Sequence, residues 1–146
     1  MSGLFPIPAG RILPQRAPFL FVDALTEYDP AFVRTRFTVT ADVALVEDGH
    51  LTAAGLLENM AQASAARIGY IAKYILHIPI RIGYIGAIKG GRIYRLPRIG
   101  EVLETTVEFR EEIFEIVLVD ISVRIGDELI AEASFKTSLG EKEMEE

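Results

Sequence analysis

The sequence predicts an α+β fold in which one long central helix is wrapped by a curved antiparallel β-sheet. Three observations carry this expectation. One helical stretch, residues 52–76, is rich in alanine and apolar almost all round, so it belongs inside the molecule rather than on its surface. Nearly everything after it reads as strand, punctuated by glycine and proline. One helix cannot cover so much sheet unless the sheet curls around it.

Each element has a local reason. Residues 19–28, FLFVDALTEY, are apolar and β-prone and predict a strand. Asp29-Pro30 is a turn signal, and residues 32–40 alternate cleanly after it. Val33, Thr35, Phe37 and Val39 share one face; Arg34, Arg36 and Thr38 share the other. Thr52 is placed to cap the helix. Ala53, Ala54, Ala61, Ala63, Ala65, Ala66 and Ala72 let a sheet approach it closely. His77 closes it and Pro79 prevents its continuation. A long strand follows over 80–94, with Gly83, Gly86, Gly90 and Gly91 marking bends or bulges. Leu96-Pro97-Arg98-Ile99-Gly100 is a turn. Residues 102–111 alternate, with Leu103, Thr105, Val107 and Phe109 on one face. The strongly β-branched 114–125 and the returning 128–139 are joined at Gly126-Asp127. The chain therefore reads as two strands, a helix and a meander. It forms one domain over residues 1–139 with a charged, frayed tail, GEKEMEE, over 140–146.

Composition bounds the chemistry. The chain has 146 residues, 50% of them apolar, enough to fill a core and to leave apolar surface for burial between subunits. Its net charge of -6, without a basic run, argues against nucleic acid as a partner. The absence of cysteine removes disulfides, thiolate metal sites and cysteine nucleophiles. With only two histidines a multi-histidine metal site in one chain is not expected, and no metal or cofactor is assigned. The start of the chain lacks the pattern of a signal peptide, and no segment is apolar over the ~18 residues of a membrane span, so a cytoplasmic protein is expected.

Glu58 is the first candidate for chemistry. It sits in the second turn of an apolar helix, where a carboxylate must be paired, hydrogen-bonded or partly protonated. Gln62 lies four residues on and shares its face, and Asn59 is adjacent. Such a carboxyl can act as general acid or base; equally, it can be a structural Glu bonded to a neighbouring strand. His50 stands just before the helix, a position for proton exchange near neutral pH or for an ordinary solvated loop. The backbone amides of Thr52, Ala53 and Ala54 are helix-start donors able to polarise a carbonyl. Arg81, Lys89, Arg92, Arg95 and Arg98 form a basic region that can receive a phosphate, or be ordinary solvated strand positions. Phe19, Phe21 and Tyr84 are candidates to line an apolar tunnel.

Three segments then carry a family resemblance. Leu13-Pro14-Gln15-Arg16-Ala17-Pro18-Phe19-Leu20-Phe21-Val22-Asp23 resembles the LPHRYPFLLVD opening of the FabA/FabZ-like 3-hydroxyacyl-acyl-carrier-protein dehydratases. Gly55-Leu56-Leu57-Glu58-Asn59-Met60-Ala61-Gln62-Ala63 resembles their VLIIEAMAQA helix, and Leu96-Pro97-Arg98-Ile99-Gly100-Glu101 resembles their VVPGD turn. The matches occur in the family's order and span nearly the whole chain. The resemblance implies the hot-dog fold, a dimer or higher assembly, and an acyl-carrier-protein or coenzyme A thioester as partner. It places Glu58 on the catalytic Glu, Gln62 on the helix Gln, and Ala53 on the helix-start Gly whose amide holds the thioester oxygen. Gln15, Ala53, Ala54, Asn59 and Gln62 are the expected substrate contacts, with Glu58 and His50 as the catalytic residues, His50 coming from either subunit. Two departures stand out. The family's GHFPxxPVMPG segment, which carries its catalytic His, is shortened here to Gly49-His50-Leu51-Thr52-Ala53, and Gln15 replaces the usual His of the opening. The shortening resembles a divergent, dehydratase-like branch associated with aryl-polyene pigment synthesis. Three activities follow as expectations: a dehydratase of fatty-acid or pigment synthesis, a non-catalytic partner subunit of a heteromer, and an acyl thioesterase.

Overall fold

The computed structural model describes residues 4–145. Helix α1, Ala53–Tyr70, begins as its sequence dictates: Thr52 is extended and its hydroxyl accepts a hydrogen bond from the Gly55 amide at 3.2 Å. The helix passes into a π-helical segment, Ile71–Leu76. There His77 adopts a left-handed conformation, φ 53°, and the Ile78 amide donates back to the Ala72 carbonyl.

The strands are β1 Ile7–Pro8, β2 Ala24–Asp29, β3 Phe32–Thr38, β4 Val46–Glu47, β5 His50–Leu51, β6 Arg81–Ile93, β7 Val102–Ile113, β8 Ile116–Ile125 and β9 Glu128–Glu143. Seven form one antiparallel sheet in the order β1-β2-β3-β7-β8-β9-β6, and β4 pairs with β5 in a small hairpin before α1. The predicted alternation is observed. Val33 faces Val107, Thr35 faces Thr105 and Phe37 faces Leu103, all buried. Against this face pack Leu56, Met60, Ala63 and Ala66, spaced to lie on one side of α1.

Four expectations change. Residues 19–23 are not strand; β2 starts at Ala24. Side-chain amides from α1 take the backbone groups of Phe19 and Phe21 that a sheet ladder would have used. The meander is β7-β8-β9 only: β6 crosses over to pair with β9 and forms an edge. Its glycines coincide with register shifts, as expected, between Arg81 and Gly83, Ile85 and Ala87, and Lys89 and Arg92. The strand predicted to stop at residue 139 continues to Glu143, which pairs with Arg81, so most of the expected frayed tail is ordered sheet. Finally, α1 is not buried all round. Leu57 and Glu58 are exposed, and Ala61, Ala65 and Ile68 half-buried, because the sheet of one chain covers one side only.

Candidate active site

That uncovered stripe forms one wall of a cavity of about 240 Å³, closed opposite by Gly83, Tyr84 and Ile85 of β6. Glu58, Gln62, Ser64 and Thr137 supply its polar surface, and Ala61, Ala65 and Ile68 its apolar floor. Gln15, from the segment before β2, also reaches it.

Gln62 is buried and its orientation is forced. Its Oε1 accepts the Phe21 N–H at 2.7 Å, so its Nε2 must face the other way, donating to the Phe19 carbonyl at 3.0 Å and to Glu58 Oε2 at 3.3 Å. The Phe21 amide thus decides which end of Gln62 meets the carboxylate. Glu58 is exposed rather than enclosed as expected, with this one side-chain donor holding it. Asn59, expected to touch substrate, is instead sealed in the core. Its Nδ2 donates to the Phe21 carbonyl at 2.7 Å and its Oδ1 accepts the Thr105 hydroxyl at 2.6 Å. It anchors the 19–23 segment from the other side. Gln15 Oε1 is buried and has no hydrogen-bond partner among the described residues.

The helix start offers two donors, not three. The Thr52 amide already donates to the Leu45 carbonyl at 2.9 Å. Ala53 and Ala54 are exposed first-turn residues whose amides have no partner within the helix. His50 lies in β5 and lines a different cavity, with Thr52, Arg95 and Arg98, in which Glu58 takes no part. Its Nδ1 donates to the Asp48 carbonyl at 2.9 Å, which leaves Nε2 as the free ring nitrogen. Glu58 and His50 of the same chain therefore do not share a cavity.

The basic region is dispersed as well. Arg81 and Arg92 stand near opposite ends of the 13-residue β6. Arg95 is consumed by Glu101 at 2.7 Å and Glu128 at 2.9 Å. Those bonds raise the guanidinium's pKa further and hold the Glu101 carboxyl down at about 2. Of the tunnel candidates, Tyr84 lines the Glu58 cavity, Phe21 belongs to the core, and Phe19 is exposed. Ser64 and Thr137 were missed: nothing in a lone hydroxyl on a helix or strand marks it as cavity-facing before the sheet register is known.

Chemically the cavity presents a carboxyl that can take and return a proton and an amide that orients it; Ala53 and Ala54 lie one turn earlier on the helix and are not among its walls. Among the described residues no group of three His, Asp or Glu is placed to hold a metal, and no helix is long and apolar enough to cross a membrane.

Comparison with known proteins locates this arrangement. The 3-hydroxyacyl-(acyl-carrier-protein) dehydratase FabZ of Anaeromyxobacter sp. (strain K) is 28% identical over 142 residues, covering 91% of this chain and 88% of that one. A chain of the dehydratase heterocomplex ApeI:P from Xenorhabdus doucetiae superposes with a TM-score of 0.82 at 20% identity, over 93% of both chains. A hypothetical thioesterase from Streptococcus pneumoniae, solved with coenzyme A, superposes with a TM-score of 0.63 at 12% identity over 80% of this chain and 84% of that one. The two superpositions establish the hot-dog fold. The family model described as ApeP dehydratase matches residues 7–143, almost the whole chain, and the protein belongs to the ApeP-like dehydratase family.

Proposed function

We propose that the protein is a dehydratase subunit acting on 3-hydroxyacyl thioesters, with Glu58 as its acid/base group. One observation carries this reading: Glu58 projects into an apolar-floored cavity with its carboxylate held by Gln62. In the reaction a base takes the C2 proton, the C2–C3 double bond forms, and the 3-hydroxyl leaves as water after accepting a proton. The Ala53 and Ala54 amides are the donors for the thioester oxygen, whose negative charge grows as the C2 proton departs. Glu58 can serve both proton transfers in turn; a second group eases the demand.

The cavity is walled on one side by edge strand β6, and His50 sits outside it. Both features favour a site completed across an interface, by a second copy of this chain or by a different hot-dog subunit. The separation of His50 from Glu58 also supports a second reading, in which this chain binds acyl groups and relies on a partner for catalysis.

Hydration of a trans-2-enoyl thioester, on carrier protein and on coenzyme A, tests both. Turnover by the purified chain that falls by about 10²-fold or more in Glu58→Gln supports the first reading. Turnover only after a second hot-dog chain is added supports the other. Hydrolysis of the thioester without hydration overturns both in favour of a thioesterase. His50→Ala is expected to reduce turnover only where His50 reaches a partner's cavity; an unchanged rate removes it from the mechanism.

A further inference from the structure

Arg67 stands in the last turn of α1, where Glu112 acts on it from beyond salt-bridge distance. Its guanidinium carbon lies 4.8 Å from the Phe109 ring centroid. Its Nε–H is buried with no acceptor, and among the described residues no carboxylate pairs with it. The buried Nε–H is closed to any incoming group, so only the terminal nitrogens of the guanidinium are available to an acceptor entering from outside. Burial correspondingly pushes the Arg67 pKa below its ordinary value, against the opposing fields of Tyr28 and Glu112.

The same arginine lines a cavity of about 270 Å³ between the end of α1, the π-helical segment and strands β7, β8 and β9. The walls are otherwise mainly apolar, including Ile71, Leu76, Ile78 and Leu139. Leu76 and Ile78 are 56% and 49% exposed, a marked loss of apolar burial for neighbours two positions apart. Arg81 adds a second cation, its Nε already given to the Gly140 carbonyl at 2.7 Å. Glu112 and Glu115 also stand on the wall, but both are exposed, where water and salt screen them. The occupant that satisfies this lining has an apolar body and an acceptor end.

We propose that this cavity is a second ligand site, taking an apolar chain that ends in a carboxylate, with Arg67 as its counter-cation. The cavity shares Ile68 and Thr137 with the Glu58 cavity, so the two adjoin. Arg67 lies nine positions along the helix from Glu58, roughly 14 Å. The carboxylate therefore has two sources: a free fatty acid entering from the open rim, or the far end of an ω-carboxylated acyl thioester whose chain passes Ile68. Only the second source rests on the dehydratase reading.

Calorimetric titration of the whole chain with decanoate and with decanol tests the site. Decanoate is expected to bind at least about tenfold more tightly than decanol, the effect of one hydrogen bond to a charged group. Arg67→Met, which keeps an unbranched stem against Phe109, is expected to abolish that preference. Should this variant fail to fold, Leu76→Asp on the exposed wall serves instead, with decanoate binding lost. Equal affinity for acid and alcohol, binding of neither, or a preference that survives these variants overturns the proposal. Displacement of decanoate by an ω-carboxylated enoyl thioester, but not by its alkyl counterpart, identifies the substrate as the source. Decanoate binding that this thioester leaves untouched identifies the free acid. Loss of hydration with decanoate binding intact counts against the dehydratase reading and not against the Arg67 site.

Discussion

At the scale of single residues, the site depends on one amide being the right way round. Gln62 cannot flip, because the buried Phe21 N–H needs its oxygen. This forces its nitrogen toward Phe19 and Glu58. Gln62→Met removes all three bonds at nearly constant volume. The unpaired Phe21 N–H is expected to cost about 1–3 kcal/mol, measured by urea denaturation, and hydration should fall with it because Glu58 loses its donor. A variant as stable as the parent would show that the 19–23 segment is held by other contacts. Asn59 makes the complementary case. The sequence marks Glu58 and Gln62 as neighbours because helical spacing is local. It could not show that Asn59 is spent in the core, because the partners of Asn59, Phe21 and Thr105, lie 38 and 46 residues away. Nor could it show Arg67 as unpaired, since that depends on which strand ends pack beneath the helix.

At the scale of elements, two joints set how the site's walls meet. Gly69 faces the segment that carries Gln15, and a Cβ added there would lie 2.4 Å from the Ile12 carbonyl oxygen. Backbone cannot swing aside as a side chain can, so Gly69→Ala is expected to destabilise the chain by about 1–3 kcal/mol. Thermal denaturation checks this, and an unchanged midpoint would mean that the segment shifts freely. The other joint is the turn after β6, where Glu101 binds Arg95 twice and accepts the Arg98 amide at 2.8 Å. The Glu101 carboxyl ordinarily titrates at 4.5 and is held here at about 2. A depressed carboxylate contributes stability that is complete above its unfolded pKa and is lost as pH falls through its folded one. The stability difference between the parent and Glu101→Gln should therefore persist at neutral pH and shrink between pH 4.5 and about 2. A difference constant across that window would remove the ion pair as its source. The turn itself was legible from its proline and glycine. Its ion pairs were not: the sequence leaves Arg95 as either a phosphate ligand or an ordinary solvated position, and the Glu128 that binds it lies 33 residues away.

At the scale of the whole molecule, the exposed stripe of α1 and the free edge of the sheet form one problem. Alternation and the alanine-rich helix made the wrapped fold legible, because burial periodicity is a local property of the chain. They did not reveal that one chain leaves its helix half covered, which depends on β6 crossing to the far edge beside β9. That edge strand is 13 residues long and carries Tyr84, Ile85, Ile88 and Ile93 at 40% to 54% exposure. A long apolar edge invites pairing with another chain. The same strand walls the Glu58 cavity through Gly83, Tyr84 and Ile85, so whatever pairs with it also bounds the site. Ile88 sits opposite Phe135, a core residue, and so faces the concave side of the sheet. Ile88→Lys should leave the single chain folded, since the side chain is already 45% exposed there. It should nevertheless oppose assembly, because a charge buried in an apolar interface lacks a partner. Light scattering is expected to show the parent as an assembly and the variant as a single chain, with hydration lost in parallel. A variant that keeps the parent's mass would place the interface elsewhere, and one that separates into single chains yet keeps full turnover would show that the Glu58 cavity is complete without a neighbour.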